Sequence, residues 1–264
     1  MLRPLILALA AVLTCTAAHA APELTARDSR FVLTLDDGRV LGSEALVGAV
    51  LDVLDETGTP QRILIDAVAP HPDHPQYLLH DFRIQTAAGD WQPMCDADAA
   101  GRRLGLPVAG YWSAEGRFIA DPARLFTTCT SGSQAKCLFF GYDPWQPGPN
   151  GENLVPYYEA CQHMTRAAYG GQDAHTTDGT TIDVYDDLGI QIPATLTDTD
   201  FAFEAGWTPD GAICLHHPRH PELADLAALL ATYPPLAAAQ PCDETAARAA
   251  GALIFNRSRP LPLP

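Results

Sequence analysis

The chain has 264 residues, of which 47% are hydrophobic and 18% are charged, and its 32 acidic and 16 basic side chains give a formal net charge of −16. This hydrophobic content is sufficient for a folded core and argues against a disordered chain. The negative charge argues against nucleic-acid binding and against docking on anionic lipid, because both require a basic surface. At roughly 100–200 residues per domain, we expect one large domain or two small ones.

Residues 1–20 have the pattern of a cleavable secretory signal. One basic residue, Arg3, precedes an apolar run over residues 5–13, and the segment ends in the sequence AHA at 18–20. Such signals combine a basic start, about 7–15 apolar residues and an A-x-A end. We predict cleavage after Ala20 and an exported protein, periplasmic or extracellular, with no integral membrane segment. An uncleaved buried helix and a lipoprotein anchored at Cys15 are the alternatives.

Residues 21–92 are predicted to form a β-rich N-terminal module. Strand-like runs at 31–35, 46–54, 62–65 and 77–84 are separated by turn signals, the first of which is Asp36-Asp37-Gly38. Short strands at this spacing are typical of a small antiparallel sandwich or barrel.

Residues 93–256 are predicted to form a mixed α+β module, followed by a frayed tail at 257–264. After a loop-rich stretch the pattern predicts three helices and one hairpin. These are a helix over Asn153–Tyr169 ended by Gly170-Gly171, a hairpin at Asp178-Gly179, a helix over Glu222–Tyr233 begun by Pro221, and a short helix from the cap Asp243 through Leu253. The predicted fold class is therefore α+β.

Six cysteines remain in the predicted mature chain. They are Cys95, Cys129, Cys137, Cys161, Cys214 and Cys242. An even number of cysteines in an exported chain indicates disulfides. The sequence contains no C-x-x-C pair, the pattern that would indicate a zinc site or thiol redox chemistry. Six cysteines allow 15 pairings, among which the sequence does not choose.

From Cys95 onward, eight stretches of the chain resemble the ADYC domain, an uncharacterised family of exported bacterial proteins. The matching stretches are Cys95–Asp96, Phe126–Thr130, Ala135–Cys137, Gly141–Trp145, Ala160–Ala167, His175–Ile190, Phe203–Trp207 and Gly211–Cys214. From the first stretch to the last, the resemblance spans about half of the chain, in order. The resemblance implies an exported domain but no biochemical activity.

The four residues that name this family fall on Ala167–Gly170, so the family's Asp is Ala168 here and its Cys is Gly170. If that Asp and Cys form an active site, this chain resembles an inactive relative. If that Cys is half of a disulfide, the chain has lost or re-paired its partner. The even number of cysteines favours the second interpretation, with Cys242 as a local addition.

Two groups of residues are candidates for a metal site. His216, His217 and His220 lie within five residues, and zinc is commonly bound by histidine with an open position for water. Because Pro218 interrupts the segment and no H-E-x-x-H motif supplies a base, we favour an exposed loop. The aspartates at 183, 186, 187, 198 and 200 do not follow the EF-hand spacing, so we favour a solvated acidic face over a calcium site.

The remaining candidates for chemistry are a thiol and four aromatic side chains. Cys161 and His163 are two residues apart on the predicted helix and so do not face each other. Trp145 and Trp207 are predicted to lie in the core, whereas Trp112 and Trp91 suit a core or the wall of a ligand cleft equally well.

The sequence therefore favours an exported, disulfide-stabilised binding or structural module without evident catalytic chemistry. Its partner is not specified, and a protein, a peptide or a carbohydrate would each suit it. We expect no cofactor. The alternative is an extracytoplasmic hydrolase, with or without a metal ion, that uses His216, His217 or His220 with an acidic residue.

The predicted processing and cysteine pairing can be tested by intact-mass measurement of the secreted protein after thiol labelling. We expect the mass to lack residues 1–20, with no label before reduction and six labels after it, because paired sulfurs do not alkylate. A labelled thiol in the unreduced mature protein would contradict the predicted pairing.

Overall fold

The computed structural model of the protein describes residues 21–260 except 56, 177–178, 195–199, 221–222 and 224. The predicted signal and the last four residues of the predicted tail lie outside the described residues. The described chain is mostly antiparallel strand with a few helices, which confirms the α+β fold class.

Two antiparallel sheets form the N-terminal part of the fold. The first contains β1 (Glu23–Arg27), β2 (Arg30–Thr34) and β3 (Val40–Gly42). The second has the order β11-β8-β6-β5-β4, with β7 paired to β6; its strands are β4 (Val50–Leu54), β5 (Pro60–Pro70), β6 (Leu78–Gln85), β7 (Trp91–Pro93), β8 (Gly105–Ala109) and β11 (Leu125–Cys129). Apolar side chains of both sheets, led by Phe31, Ile65 and Phe82, share one buried core.

The second sheet joins strands from both sides of the predicted module boundary at residue 92.

The prediction of a strand over 46–54 is wrong in its first half, because Ser43–Leu46 forms a 3-10 turn. Gly48 follows with a positive φ of 88°, a conformation that interrupts a strand, so β4 begins only at Val50.

The rest of the chain packs two helices against a four-stranded sheet. A small hairpin of β9 (Tyr111–Trp112) and β10 (Phe118–Ile119) precedes α1 (Ser133–Phe139) and α2 (Val155–Arg166). The antiparallel sheet has the order β12-β15-β13-β14 and contains β12 (Asp183–Asp186), β13 (Ala202–Thr208), β14 (Gly211–Leu215) and β15 (Ile254–Ser258). Three short helices lie between β14 and β15: α3 (Leu226–Thr232), α4 (Pro234–Ala238) and α5 (Glu244–Ala249).

The predicted long helix is present as α2 but ends earlier than Gly170-Gly171. Ala167 takes the left-handed conformation with φ 50°, and the N–H of Ala168 donates to the carbonyl of His163 at 2.8 Å. This cap turns the chain so that Tyr169 points into the core.

The later helices and the predicted tail also differ from the sequence-based boundaries. The described part of the predicted 222–233 helix begins at Leu226, where the Asp225 carboxylate accepts a hydrogen bond from the Ala228 N–H at 3.1 Å. Asp243 caps α5 as predicted, but that helix ends at Ala249. Residues 257–258 of the predicted tail form the end of β15. One residue of the predicted 178–179 hairpin turn lies outside the described residues.

The six cysteines form three disulfides, as expected: Cys95–Cys129, Cys137–Cys161 and Cys214–Cys242. The second of them ties α1 to α2, and Cys161 lies on the core face of α2 as the helical spacing predicted. The bridged cysteines are 24 to 34 residues apart. Loops of this length contribute about 3–4 kcal/mol each in the chain-entropy account.

A fully buried ion pair lies beneath the end of α2, between that helix and the four-stranded sheet. Glu204 on β13 and Arg219 are 0% and 2% exposed at their side chains, and Arg219 Nη1 lies 2.6 Å from Glu204 Oε1. The Tyr169 hydroxyl donates to the same oxygen at 3.0 Å, and Asn256 Nδ2 donates to Glu204 Oε2 at 2.7 Å. Arg219 Nη2 donates to the carbonyl of Met164 at 2.5 Å. Each carboxylate oxygen therefore has a partner, as a buried charge requires.

We expect Arg219→Met to lower the free energy of unfolding by about 3–5 kcal/mol, because it leaves the Glu204 carboxylate buried without its cation. Chemical denaturation measures this loss. The matched control is Arg248→Met, whose ion pairs with Asp187 and Glu244 lie at the surface; it should change the free energy by less than about 1 kcal/mol. Equal effects of the two variants would contradict the assigned role of the buried pair.

Candidate ligand-binding cavity

A cavity of about 440 Å³ lies where the tip of the β9–β10 hairpin, the start of α1, the C-terminal half of α2 and the β13–β14 turn meet. Its walls are mostly polar. They are formed by Trp112, Glu115, Gly116, Arg117, Ser133, Gln134, Gln162, His163, Arg166, Gly171, Gln172, Pro209 and Asp210.

Helix α2 presents a polar stripe on this side. Glu159, Gln162, His163 and Arg166 follow the spacing i, i+3, i+4, i+7 and so share one face. The first three are buried, with 6%, 5% and 9% of their surfaces exposed. A polar helix face that is both buried and adjacent to a cavity is unlike the solvated face of an ordinary amphipathic helix.

Arg117, at the end of the β9–β10 turn, connects three elements around the cavity. Its Nη1 donates to the carbonyl of Pro209 at 2.9 Å and lies 3.4 Å from Glu159 Oε2, while its Nη2 pairs with Asp210. Glu159 Oε1 in turn accepts a hydrogen bond from the N–H of Phe118 at 2.7 Å. These contacts hold the two hairpins against α2 and fix the shape of the cavity.

The ring of His163 has one nitrogen fixed and the other unpartnered. Its Nε2 lies 2.9 Å from the carbonyl oxygen of Pro209. Because a carbonyl oxygen only accepts, Nε2 carries the proton, and in the neutral ring Nδ1 is an acceptor. Burial lowers the pKa of His163 below its usual value of 6.5, so the ring is neutral at pH 7. Within the described chain, this buried Nδ1 has no hydrogen-bond partner.

The other polar side chains are partly held by the protein. The Ser133 hydroxyl donates to Gln162 Oε1 at 2.7 Å, and Arg166 Nη2 donates to the carbonyl of Gln172 at 3.3 Å. Two arginines and two acidic residues line the cavity, Arg117 and Arg166 against Glu115 and Asp210, so the formal charges of the lining cancel with His163 neutral. The cavity can therefore hold a polar molecule through directed hydrogen bonds rather than through net charge.

A family model of the ADYC domain matches residues 43–221, about two thirds of the chain. The chain belongs to the ADYC domain family. No curated protein and no solved structure matches it. The match begins at residue 43, well before Cys95, so the ADYC domain takes in all six strands of the second sheet as well as the cavity.

Residues 167–170, on which the sequence analysis expects the four name-giving residues to fall, lie at the end of α2, beside the cavity but mainly in the core. Tyr169 holds the buried Glu204–Arg219 pair, and burial raises the pKa of Tyr169 well above its usual value of 10.0, so its hydroxyl remains a donor. A Cβ on Gly170 would overlap the ring of Tyr233. In this ADYC domain an aromatic ring fills the space that a side chain at position 170 would need.

The histidine candidates at 216, 217 and 220 do not line the cavity, and the expected exposed loop is wrong in part, because His217 and Arg219 are buried. His216 Nδ1 lies 3.2 Å from His217 Nδ1, and His217 Nε2 lies 3.1 Å from the hydroxyl of Ser258. Among the residues that the structure describes, no group of three or more His, Cys, Asp or Glu side chains could hold a metal ion. The metal-assisted alternative thus gains no ligand cluster from this part of the chain.

The acidic cluster has protein partners where the structure describes it. Asp186 accepts hydrogen bonds from the Tyr142 hydroxyl at 2.8 Å and from the backbone N–H of Gln191 at 2.8 Å. Asp183 accepts from the N–H of Ala194 at 3.0 Å, and Asp187 pairs with Arg248. Asp183 and Asp186 therefore stabilise the loop after β12, and the expected solvated acidic face is wrong for both, because each is only 8% exposed. Asp198 lies outside the described residues.

The tryptophans divide between the core and the cavity. Trp207 is fully buried and donates from Nε1 to Asn256 Oδ1 at 2.7 Å, and Trp145 packs against the same core, as predicted for both. Trp112 lines the cavity and also packs against the core, so it has a part in both of the settings that the sequence left open. Trp91 lies in β7 and pairs with Gln85 of β6.

The sequence interpretation missed the polar stripe of α2, although its signal is present in the sequence. The sequence analysis treats His163 only as a possible partner of Cys161. That cysteine lies on another face of α2 and is bonded to Cys137. Four polar residues at helical spacing look like a solvent-exposed face until it is known that hairpins from residues 111–119 and 202–215 cover them.

The steric role of Tyr233 predicts a coupled effect of two substitutions. Gly170→Ala should cost about 1–3 kcal/mol of stability because its methyl group meets the Tyr233 ring. In a Tyr233→Ala background the same change should be nearly neutral, and a double-mutant cycle by chemical denaturation measures the coupling. Additive effects would show that Tyr233 does not fill this space.

Proposed function

We propose that the mature chain is an exported binding module of the ADYC family whose ligand site is the 440 Å³ cavity beside α2. The observation that carries the proposal is the polar stripe of α2, whose Gln162, His163 and Arg166 side chains line this cavity although Gln162 and His163 are largely buried. A concave site with a small number of fixed polar groups in its wall is the usual form of a small-molecule site.

The wall of the cavity is held in a fixed shape, and this supports a role in ligand binding. The Arg117 contacts to Pro209, Glu159 and Asp210 fix the hairpins, and the Cys137–Cys161 disulfide fixes α1 against α2. A site held in its bound shape before the ligand arrives loses less entropy on binding. The volume also lies within the range of about 300–1,000 Å³ that is usual for small-molecule sites.

Two observations support export. Residues 1–20 have the pattern of a secretory signal, and the three disulfides are of the kind that forms in oxidising compartments. In the described residues, no helix has the length and apolar character needed to cross a membrane.

The proposal is tested by thermal unfolding of the mature protein in the presence of a panel of amino acids, mono- and disaccharides and short carboxylic acids. We expect at least one compound to raise the melting temperature of the wild type with increasing concentration, as a ligand of the native state must. Arg166→Gln should abolish or strongly reduce this shift, because Arg166 lines the cavity.

The matched control is Arg39→Gln, since Arg39 is an exposed arginine paired with Asp37 in a surface turn and is absent from the cavity lining. It should retain the full shift. The absence of a shift with every compound, or an equal shift in Arg166→Gln and the wild type, would overturn the cavity as the ligand site.

A further inference from the structure

We propose that Asp143 and Tyr77 form a pH-sensitive hydrogen-bond switch at the C-terminal end of α1. In mildly acidic solution the neutral Asp143 carboxyl donates a hydrogen bond to the Tyr77 oxygen, and Tyr77 donates to the carbonyl of Leu138. At higher pH the ionised carboxylate accepts the Tyr77 hydrogen in place of Leu138. Neither Asp143 nor Tyr77 lines the cavity, so this inference is independent of the proposed function.

The Tyr77 hydroxyl makes two short contacts with oxygen atoms. Its Oη lies 2.6 Å from the carbonyl oxygen of Leu138 and 2.7 Å from Asp143 Oδ1. Both distances are those of O–H···O hydrogen bonds. The hydroxyl supplies only one hydrogen, however, and neither a carbonyl oxygen nor an ionised carboxylate can donate. Both contacts are hydrogen bonds only when Asp143 carries the second proton, so this geometry is that of the neutral acid.

The surroundings of Asp143 also favour the neutral acid. Tyr77 and Leu138 are buried in the main core, and the charged group that acts on Asp143 from the β1–β2 turn is another carboxylate, Asp28. Asp28 Oδ1 accepts a hydrogen bond from the amide of Gln146 at 3.2 Å. Burial and the charge of Asp28 raise the pKa of Asp143 to about 6, although the hydrogen bond from Tyr77 lowers it.

Three other titratable side chains lie around the pair. On α2 the buried Tyr158 hydroxyl stays protonated, because burial and the charge of Asp143 raise its pKa. In the loop before β6, the ring of His74 lies 6.3 Å from the ring of Tyr77 and 5.0 Å from the ring of His71. Burial lowers the pKa of His71, which leaves His74 as the histidine that a titration must separate from Asp143.

The Leu138 carbonyl can lose the Tyr77 hydrogen bond without being left unpaired. The N–H of Gly141 donates to the same oxygen at 2.7 Å. When Asp143 ionises, its carboxylate is the stronger acceptor, so the Tyr77 hydrogen turns toward it. Tyr77 then holds Asp143 instead of Leu138, which weakens the link between the loop before β6 and the last turn of α1. One proton therefore decides which segment Tyr77 holds.

The raised pKa of Asp143 fixes the sign of the pH dependence. The folded state keeps this proton up to about pH 6, whereas an unfolded chain releases it near the usual value of 3.8. The folded protein therefore binds more protons between these values, and its stability falls as the pH rises through this window. At pH 8 the largely buried carboxylate is a destabilising group.

The experiment is an NMR titration of the mature protein with 13C-labelled aspartate, from pH 4 to pH 8. We expect one side-chain carboxyl signal to titrate with a midpoint near pH 6 and to be absent from Asp143→Asn. His74→Gln should leave this midpoint in place, whereas Tyr77→Phe should move it upward because the carboxylate loses its donor. A midpoint below about pH 5 for Asp143 would overturn the inference, since that is the range of an ordinary aspartate.

Chemical denaturation at pH 4 and pH 8 provides the second measurement. Asp143→Asn keeps a neutral group whose amide can donate to Tyr77. At pH 8 its unfolding equilibrium constant should be lower than that of the wild type by up to about a hundredfold, and at pH 4 the two should be similar. The matched control is Asp98→Asn, because the Asp98 carboxylate pairs with Arg102 at 2.9 Å. This control should unfold more readily than the wild type at pH 8. The same behaviour in Asp143→Asn would overturn the switch.

Discussion

The buried Glu204–Arg219 pair is the constraint around which the later half of the chain is arranged. Two charges removed from water are tolerated only when they pair closely and further hydrogen bonds satisfy most of their polar atoms. Tyr169 at the end of α2 and Asn256 on β15 both point at the carboxylate, and Arg219 reaches the last carbonyls of α2. One ion pair thus connects the helix end, two strands and the segment after β14. The position of α2, and with it the polar stripe, depends on this network.

The cavity is a consequence of that arrangement. Once the ion pair and the Cys137–Cys161 disulfide fix the two sides of α2, the helix has one face in the core and another beneath the β9–β10 and β13–β14 turns. Arg117 in the β9–β10 turn bonds to Pro209 and Asp210 in the β13–β14 turn, and so holds the two turns together beside the cavity. The polar groups of Gln162, His163 and Arg166 are therefore held at fixed positions, and this is the condition under which hydrogen bonds give specificity.

Sequence patterns predicted the presence of the helices and strands better than the residues at which they begin and end. The apolar spacing of α2 placed Cys161 in the core correctly, and Asp243 was recognised as a cap because its side chain acts on its own helix. The end of α2 was misplaced because the glycines after it are an obvious stop, whereas the chain turns at Ala167 to bring Tyr169 into the core. The strand before Val50 was lost to a glycine with a positive φ, a local conformation that composition does not specify.

The sequence by itself determined the α+β class, the cysteines available for disulfides and the family, because these depend on residue type, count and order. Only the tertiary structure decided which cysteines pair, that Asp183 and Asp186 of β12 accept hydrogen bonds from the loop that follows, and that Trp112 lies at a cavity. The candidate site was beyond sequence reasoning for the same physical reason. A polar helical stripe is equally compatible with solvent and with a cavity until strands 40 to 50 residues away along the chain, on either side, are packed over it.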